Sequence, residues 1–246
     1  MRHTPSFDLT DPQEIVRLIR ENPWATIISS TSTGLVASHY PVLIDDSAPD
    51  GEIAILSHVG RPDERLHEWG EHEVLVIIQG PHGYISPGWY DAAPAVPTWN
   101  FVTAHLYGVP EILPAGENLR VLEQLVDHFE DAMPEPRRMR GTLANSEYAD
   151  RISAGTVGFR LPVSRFVAKL KMSQNRPDDT VRRIVGELEG DGPYASAPLA
   201  QEVRRANPAL FDGSAAGGAA GEGAAGGADA GVPTPAAGPE LGAHGA

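Results

Sequence analysis

The feature that most constrains the fold is a run of five apolar residues, Val74-Leu75-Val76-Ile77-Ile78, rich in β-branched side chains. Such a run reads as a strand buried on both faces. Shorter strand-like stretches surround it. Trp24 to Ser30 reads as a strand, Ser32-Thr33-Gly34 as a turn, and Leu35 to Ile44 as the hairpin partner. Ile53 to His58, Tyr84 to Ser86, Asn100 to Ile112, Val157 to Leu161 and Arg165 to Leu170 follow. In Asn100 to Ile112, Phe101, Thr103, His105, Tyr107 and Val109 share one face.

Helical segments punctuate these strands without a regular βαβ alternation. Asp11-Pro12 opens a helix with Ile15, Leu18 and Ile19 on one side, and Asn22-Pro23 ends it. Pro62 to Trp69 forms a short helix. Glu117 to Asp131 presents Leu119, Leu122, Val126 and Phe129 on one side, and Asp178 to Glu189 carries two acids in its first turn. Seven or eight strands with four or five helices favour a mainly β, α+β fold: an antiparallel or mixed barrel with peripheral helices.

Composition divides the 246 residues in two. Of the 34 residues over 213–246, 11 are Gly and 12 are Ala, with Glu222, Asp229 and Glu240 the only charges. That stretch has too little apolar surface to offset the entropy of ordering it and is expected to be a disordered tail, leaving 1–212 as the folded domain. The chain carries 19 Lys and Arg against 33 Asp and Glu, a net charge of −14 that repels nucleic acid and anionic membranes. Its basic clusters are Arg137-Arg138-Met139-Arg140, Arg182-Arg183 and Arg204-Arg205, with no helix-turn-helix pattern beside them. No apolar run is long enough to span a bilayer and the first residues lack a signal core, so the expected location is the cytoplasm.

There is no cysteine, which removes disulfides, thiolate metal sites and a Cys nucleophile. No strand is followed by G-x-G-x-x-G, and G-x-x-x-x-G-K-[ST], G-x-S-x-G and H-E-x-x-H are missing. His67 and His72 are five residues apart, a spacing that splays two rings on a helix, so no metal is expected. Four stretches carry more chemistry. Ser57-His58-Val59-Gly60-Arg61-Pro62 places a hydroxyl, an imidazole and a guanidinium where a strand turns into a helix, which suits an anion. Gln79 to Tyr90 crowds Gly and Pro around aromatic rings that suit a flat ligand or a second subunit. Val96-Pro97-Thr98-Trp99-Asn100 leads into the long strand. Lys169-Leu170-Lys171-Met172-Ser173-Gln174-Asn175-Arg176-Pro177 sets two Lys and one Arg around three small polar residues in an acidic chain, which suits a bound anion such as a phosphate.

In order, His39-Tyr40-Pro41, Ser57 to Arg61, Gln79 to Tyr90, Val96 to Asn100 and Lys171 to Arg176 resemble the PaiB-like FMN-binding negative transcriptional regulators. The resemblance covers about Pro5 to Asn207. It implies a split β-barrel that binds FMN, usually as a homodimer with the flavin at the subunit interface. On the matching positions, Ser57, Arg61, Lys171, Ser173 and Arg176 become candidates for the flavin phosphate. Gln79, Trp99 and Asn100 become candidates for the isoalloxazine ring, with His58 and Gln174 in the same motifs. Without a cysteine the flavin cannot be held by a thioether.

Three functions fit this resemblance. The first is a flavin-binding regulator, for which direct DNA contact sits awkwardly with the acidic charge. The second is an oxidoreductase of the same fold, with His39, His58, His82 and Tyr84 as candidate proton donors. The third is a haem-binding relative, which would need a His ligand.

Overall fold

The computed structural model describes residues 1–70, 72–90 and 93–211. The Gly/Ala-rich segment over 213–246 lies outside the described residues. Ten strands form two antiparallel sheets. In chain order they are β1 (Asp8–Leu9), β2 (Trp24–Thr31), β3 (Gly34–Pro41), β4 (Leu43–Ile44), β5 (Ala54–Gly60), β6 (Val74–Ile85), β7 (Thr98–Gly108), β8 (Glu111–Ile112), β9 (Thr156–Pro162) and β10 (Arg165–Lys171). The larger sheet has the order β1-β10-β7-β6-β2-β3 and the smaller β4-β5-β9-β8. Six helices accompany them: α1 (Pro12–Glu21), α2 (Arg61–Leu66), α3 (Ala115–Glu130), α4 (Leu143–Ser153), α5 (Asp178–Glu189) and α6 (Ala197–Ala206).

Ile27, Ile78 and Leu106 from the larger sheet meet Ile55, Phe159 and Leu161 from the smaller one in a closed core, each at most 1% exposed. Helix α1 adds Ile15, Leu18 and Ile19, as its periodicity requires, and Asp11 caps it by accepting from the Gln13 amide at 2.9 Å.

Several expectations change in the folded chain. The run over 74–78 is buried on one face only. Val74, Val76 and Ile78 enter the core, whereas Leu75 and Ile77 are half-buried on the outer face among the described residues. Tyr84 to Ser86 is not a separate strand, because β6 continues to Ile85 through a register shift between Gln79 and His82. Gly80 permits it: a Cβ there would lie 2.6 Å from Val102 Cγ1 and 2.7 Å from Leu18 Cδ1. The expected strand from Leu35 to Ile44 breaks at Val42, whose amide donates to Pro23 O at 2.8 Å, and its last two residues cross to the smaller sheet as β4. The strand from Asn100 likewise ends at Gly108, and Glu111–Ile112 pairs instead with β9. At Gly108 a Cβ would stand 2.2 Å from Pro162 O, so the chain can leave the sheet there only as glycine.

The short helix spans Arg61–Leu66 and releases Trp69 into the core, edge-on to Phe159 at 4.5 Å. In α3 the buried stripe is Asn118, Val121 and Leu125. The expected stripe of Leu119, Leu122, Val126 and Phe129 lies at its margin, and Phe129 is 44% exposed. Packing against β9 and β5 sets this rotation, which hydropathy alone does not. Helices α4 and α6 are additional to the helices read from the sequence, although α6 opens with a Ser196 cap on the Leu199 amide and Pro198 in its first turn.

Candidate functional site

Two groups of chemistry-bearing residues stand apart in the fold. The first is the corner where β5 becomes α2. Ser57 is fully buried, and its hydroxyl donates to the Pro41 carbonyl, fastening β5 beneath the crossover from β3 to β4. His58 lies edge-on to Tyr40 at 6.1 Å, and its buried Nδ1 has no hydrogen-bond partner among the described residues. Burial lowers its pKa and favours the neutral ring. Arg61 is exposed. Its amide donates to Gly155 O at 3.0 Å and its Nε to Ala154 O at 2.6 Å, and among the described residues no carboxylate pairs with it.

Beneath this corner runs a directed chain of hydrogen bonds. Tyr40 OH donates to Asp63 Oδ2 at 2.7 Å and accepts from the Gly60 amide at 3.3 Å. Ser38 Oγ donates to the same carboxylate oxygen at 2.9 Å, so it accepts from His67 Nε2 at 3.0 Å. His67 Nδ1 then accepts from Ser29 Oγ at 2.8 Å, which fixes one neutral tautomer. Burial is the main reason the His67 pKa is lowered; Asp63 works against that and His72 with it. His67 is thus a fully buried tie between the β2–β3 hairpin and α2. No group of three metal-ligating side chains occurs among the described residues.

The second group gathers where β7 starts and β10 ends. Lys171 lies across from Phe101 in register, and its ammonium donates to Thr98 Oγ1. Burial lowers its pKa, with Lys169 and Arg176 adding to the effect. The turn that follows is built tightly. Ser173 adopts φ +64° and is held by Asn100, whose Nδ2 donates to Ser173 Oγ at 3.0 Å while that hydroxyl donates back to Oδ1 at 3.2 Å. Gln174 closes the same turn, accepting from the Met172 amide at 2.6 Å and donating to Leu170 O at 2.7 Å. Arg176 is exposed and places its guanidinium 4.7 Å from the centre of the Tyr90 ring.

Trp99 is 54% exposed and stacks on His82 at 6.3 Å with 25° between the planes. Gln79 Nε2 approaches His82 Nδ1 at 3.2 Å. Seven of the candidate residues (Gln79, Trp99, Asn100, Lys171, Ser173, Gln174 and Arg176) therefore share one neighbourhood. Ser57, His58 and Arg61 form another. No hydrogen bond, ion pair or ring contact among the described residues joins the two.

The candidates also divide by what their side chains already do. Ser57, Asn100, Ser173 and Gln174 spend their polar groups on the chain itself and shape its backbone. Arg61, Lys171 and Arg176 have no carboxylate partner among the described residues, as is also true of Arg2, Arg65, Arg137, Arg151 and Lys169, whereas Arg17, Arg20, Arg138, Arg140, Arg160, Arg165 and Arg204 each have one. Cations left uncompensated in an acidic chain fit a phosphate. Thr98 and Tyr40 lie inside motifs read from the sequence but without a role of their own there, and Asp63 lies outside them, its one signal being its place in the first turn of a helix that begins Arg61-Pro62.

Residues 1–165 match the family described as "Putative FMN-binding domain". The chain belongs to this FMN-binding family. Over 190 residues it is 30% identical to the protease synthase and sporulation protein PAI 2 of Bacillus subtilis, covering 75% of this chain and 87% of that protein. Two solved structures share its fold at a TM-score of 0.50. One is the FAD- and haem-binding protein of Mycobacterium smegmatis, 18% identical over 76% of this chain and 81% of that one. The other is the flavocytochrome Anf3 of Azotobacter vinelandii, 13% identical over 67% and 69%. The two antiparallel sheets are therefore a split barrel, and the chain is an FMN-binding split-barrel protein of the PaiB type. No helix of the described residues is long and apolar enough to cross a membrane.

Proposed function

We propose that this chain holds FMN between the subunits of a homodimer and acts as a flavin-dependent regulator without laying its own surface on DNA. The observation that carries the reading is the separation of the two cation groups. A single chain offers Arg61 at one corner and Lys171 with Arg176 at another, and each group by itself is half of a phosphate clamp. A two-fold axis brings one group of each subunit against the complementary group of the other, closing two equivalent sites. In that arrangement Arg61 receives the phosphate with the β5–α2 corner, while Lys171 and Arg176 receive it from the partner. Gln79 and Trp99 lie on the same rim as the second group and take the isoalloxazine ring, while the buried Asn100 braces the turn that carries Arg176. Bound FMN would supply one- or two-electron transfer.

The fate of the basic clusters favours indirect regulation. Arg138 pairs with Asp127 and Asp131, Arg140 with Glu123 and Asp150, Arg182 with Asp179, Arg204 with Glu189 and Arg205 with Glu202. Positive charge spent on the protein's own carboxylates does not form the basic face that a DNA backbone requires.

Subunit mixing tests the shared site. Arg61→Ala and Lys171→Ala, each alone, lose the bound-flavin absorbance. After unfolding and refolding together, random pairing returns about a quarter of the wild-type FMN capacity, because each mixed dimer has one intact site. A mixture that recovers nothing, from proteins that each refold to dimers, would sink the shared site. An FMN-loaded protein that retards genomic DNA at physiological salt would overturn the indirect mode.

A further inference from the structure

The outer face of the larger sheet carries a feature that the phosphate clamp does not use. A cavity of about 500 Å³ opens between the β2–β3 hairpin, β6 and the end of α3. Its lining is Asn22, Pro23, Trp24, Thr26, His39, Pro41, Ile77, Gln79, His82 and Phe129. None of these is Lys, Arg, Asp or Glu, on a chain in which 21% of residues are charged. Two of its imidazoles lie almost flat against exposed indoles. His39 stacks on Trp24 at 6.4 Å and 16°, and His82 stacks on Trp99 at 6.3 Å and 25°. Trp24 is 63% exposed and Phe129 44%, apolar surface that a monomeric fold has no reason to leave open.

Each part of the lining selects for a property of a ligand. Ile77 and the two prolines make an apolar floor and walls, and the rings of Trp24 and Phe129 offer faces to a flat body. Thr26, His39, Gln79 and His82 add hydrogen-bond donors and acceptors to the lining, as carbonyl oxygens need. With no Lys or Arg in its lining, the cavity has no fixed positive charge for a phosphate, and a nicotinamide dinucleotide would leave its charges uncompensated. Gln79 and His82 also border Trp99, so the cavity opens beside the rim taken by the flavin ring.

The geometry points to a second ligand site, for a neutral planar compound bearing ring carbonyls, of which a quinone is the simplest member. Its place as a substrate seat rests on the flavin reading above; its existence as a binding site does not.

Menadione is a clean probe, since the chain has no cysteine for it to alkylate. Equilibrium dialysis of flavin-free protein against menadione is expected to show saturable uptake, weakened at least tenfold in Trp24→Ala and in His82→Ala. Both side chains are exposed, and circular dichroism checks that the variants remain folded. The anionic 1,4-naphthoquinone-2-sulfonate is expected to bind at least tenfold more weakly than menadione. Uptake that does not saturate, equal affinity for the sulfonate, or unchanged affinity in Trp24→Ala would each overturn the site. Repeating the titration with FMN present separates the two readings. Retained menadione binding supports a second site, whereas competition by FMN makes the cavity the seat of the flavin ring itself and overturns it. A protein that takes up menadione and ignores FMN would overturn the flavin clamp alone.

Discussion

Arg17 and Arg176 show two ways of spending a cation. Arg17 lies between α1 and α6 with its side chain 15% exposed, bound to Glu14, Glu21 and Glu202 at 2.5–2.9 Å. Glu202 is 4% exposed and reaches it through two bonds, at 2.9 and 3.1 Å. Burial works against the Arg17 charge, yet the bonds and field of Glu202 and Glu14 outweigh it and hold the guanidinium charged. Among the described residues Arg176 faces the Tyr90 ring and nearby Lys171 donates to a threonine hydroxyl, with no carboxylate on either. The first cation joins two helices. The second is the one the proposed flavin site calls on. Charge within the protein stabilises where it is answered and recognises where it is not.

The largest effect that tests this contrast is expected at Glu202. Glu202→Ala removes the two bonds that carry Arg17 across to α6, leaving it Glu14 and Glu21 on its own helix, and costs about 2–3 kcal/mol of stability. Urea unfolding should show that loss, and the variant that remains folded should keep wild-type affinity for FMN. An affinity that falls with stability would erase the distinction between the two regions.

The reverse pattern is expected at Arg61, Lys171 and Arg176. Removing any one leaves unfolding within about 1 kcal/mol of wild type, since each side chain is at least partly solvated. Flavin affinity falls roughly 10- to 100-fold, the worth of one charge-assisted bond to a phosphate. Fluorescence titration of FMN into each variant measures it.

Asn100 sharpens the contrast, because it belongs to neither class. Asn100→Ala leaves a buried Ser173 hydroxyl unpartnered beneath a backbone at φ +64°, and about 1–2 kcal/mol of stability should be lost. The turn carrying Arg176 loosens as well, so affinity should fall together with stability. A variant losing affinity at full stability would move Asn100 from shaping the turn to touching the ring.

The smallest expected effect is in pH. Burial lowers the pKa of His58, His67 and His105 from 6.5. Below that value the unfolded chain takes up protons that the folded rings refuse, so stability falls as pH drops from about 6.5 and is flat above it for these groups. Urea midpoints at pH 7.5 and 5.0 should differ in that direction, and His67→Gln should reduce the difference. An unchanged midpoint would mean that the folded rings accept the protons.

Much of this was legible in the chain. The Asp11-Pro12 start of α1 and the Asp178–Glu189 helix follow from capping and charge at helix ends, which are local effects. The short words around Ser57, Gln79, Trp99 and Lys171 carried the family and, with it, the flavin. Alternation along β7 placed Phe101, Thr103, His105 and Tyr107 on a common face before any partner strand was known.

Other features depend on what each segment meets. The five apolar residues of β6 read as doubly buried, yet Leu75 and Ile77 are only half-buried among the described residues. The rotation of α3 puts Phe129 at the mouth of a cavity, although its own periodicity assigned it to the core. Which serines and amides brace the backbone, and which cations are left over, depends on distances between residues far apart in sequence, such as Ser29 and His67 or Arg17 and Glu202. Residue types, caps and alternation are properties of neighbours along the chain, so the sequence alone determined the elements and the chemistry on offer. Burial, hydrogen-bond partnership and the balance of opposed charges exist only once distant segments pack, so tertiary structure alone decided where that chemistry is free to act.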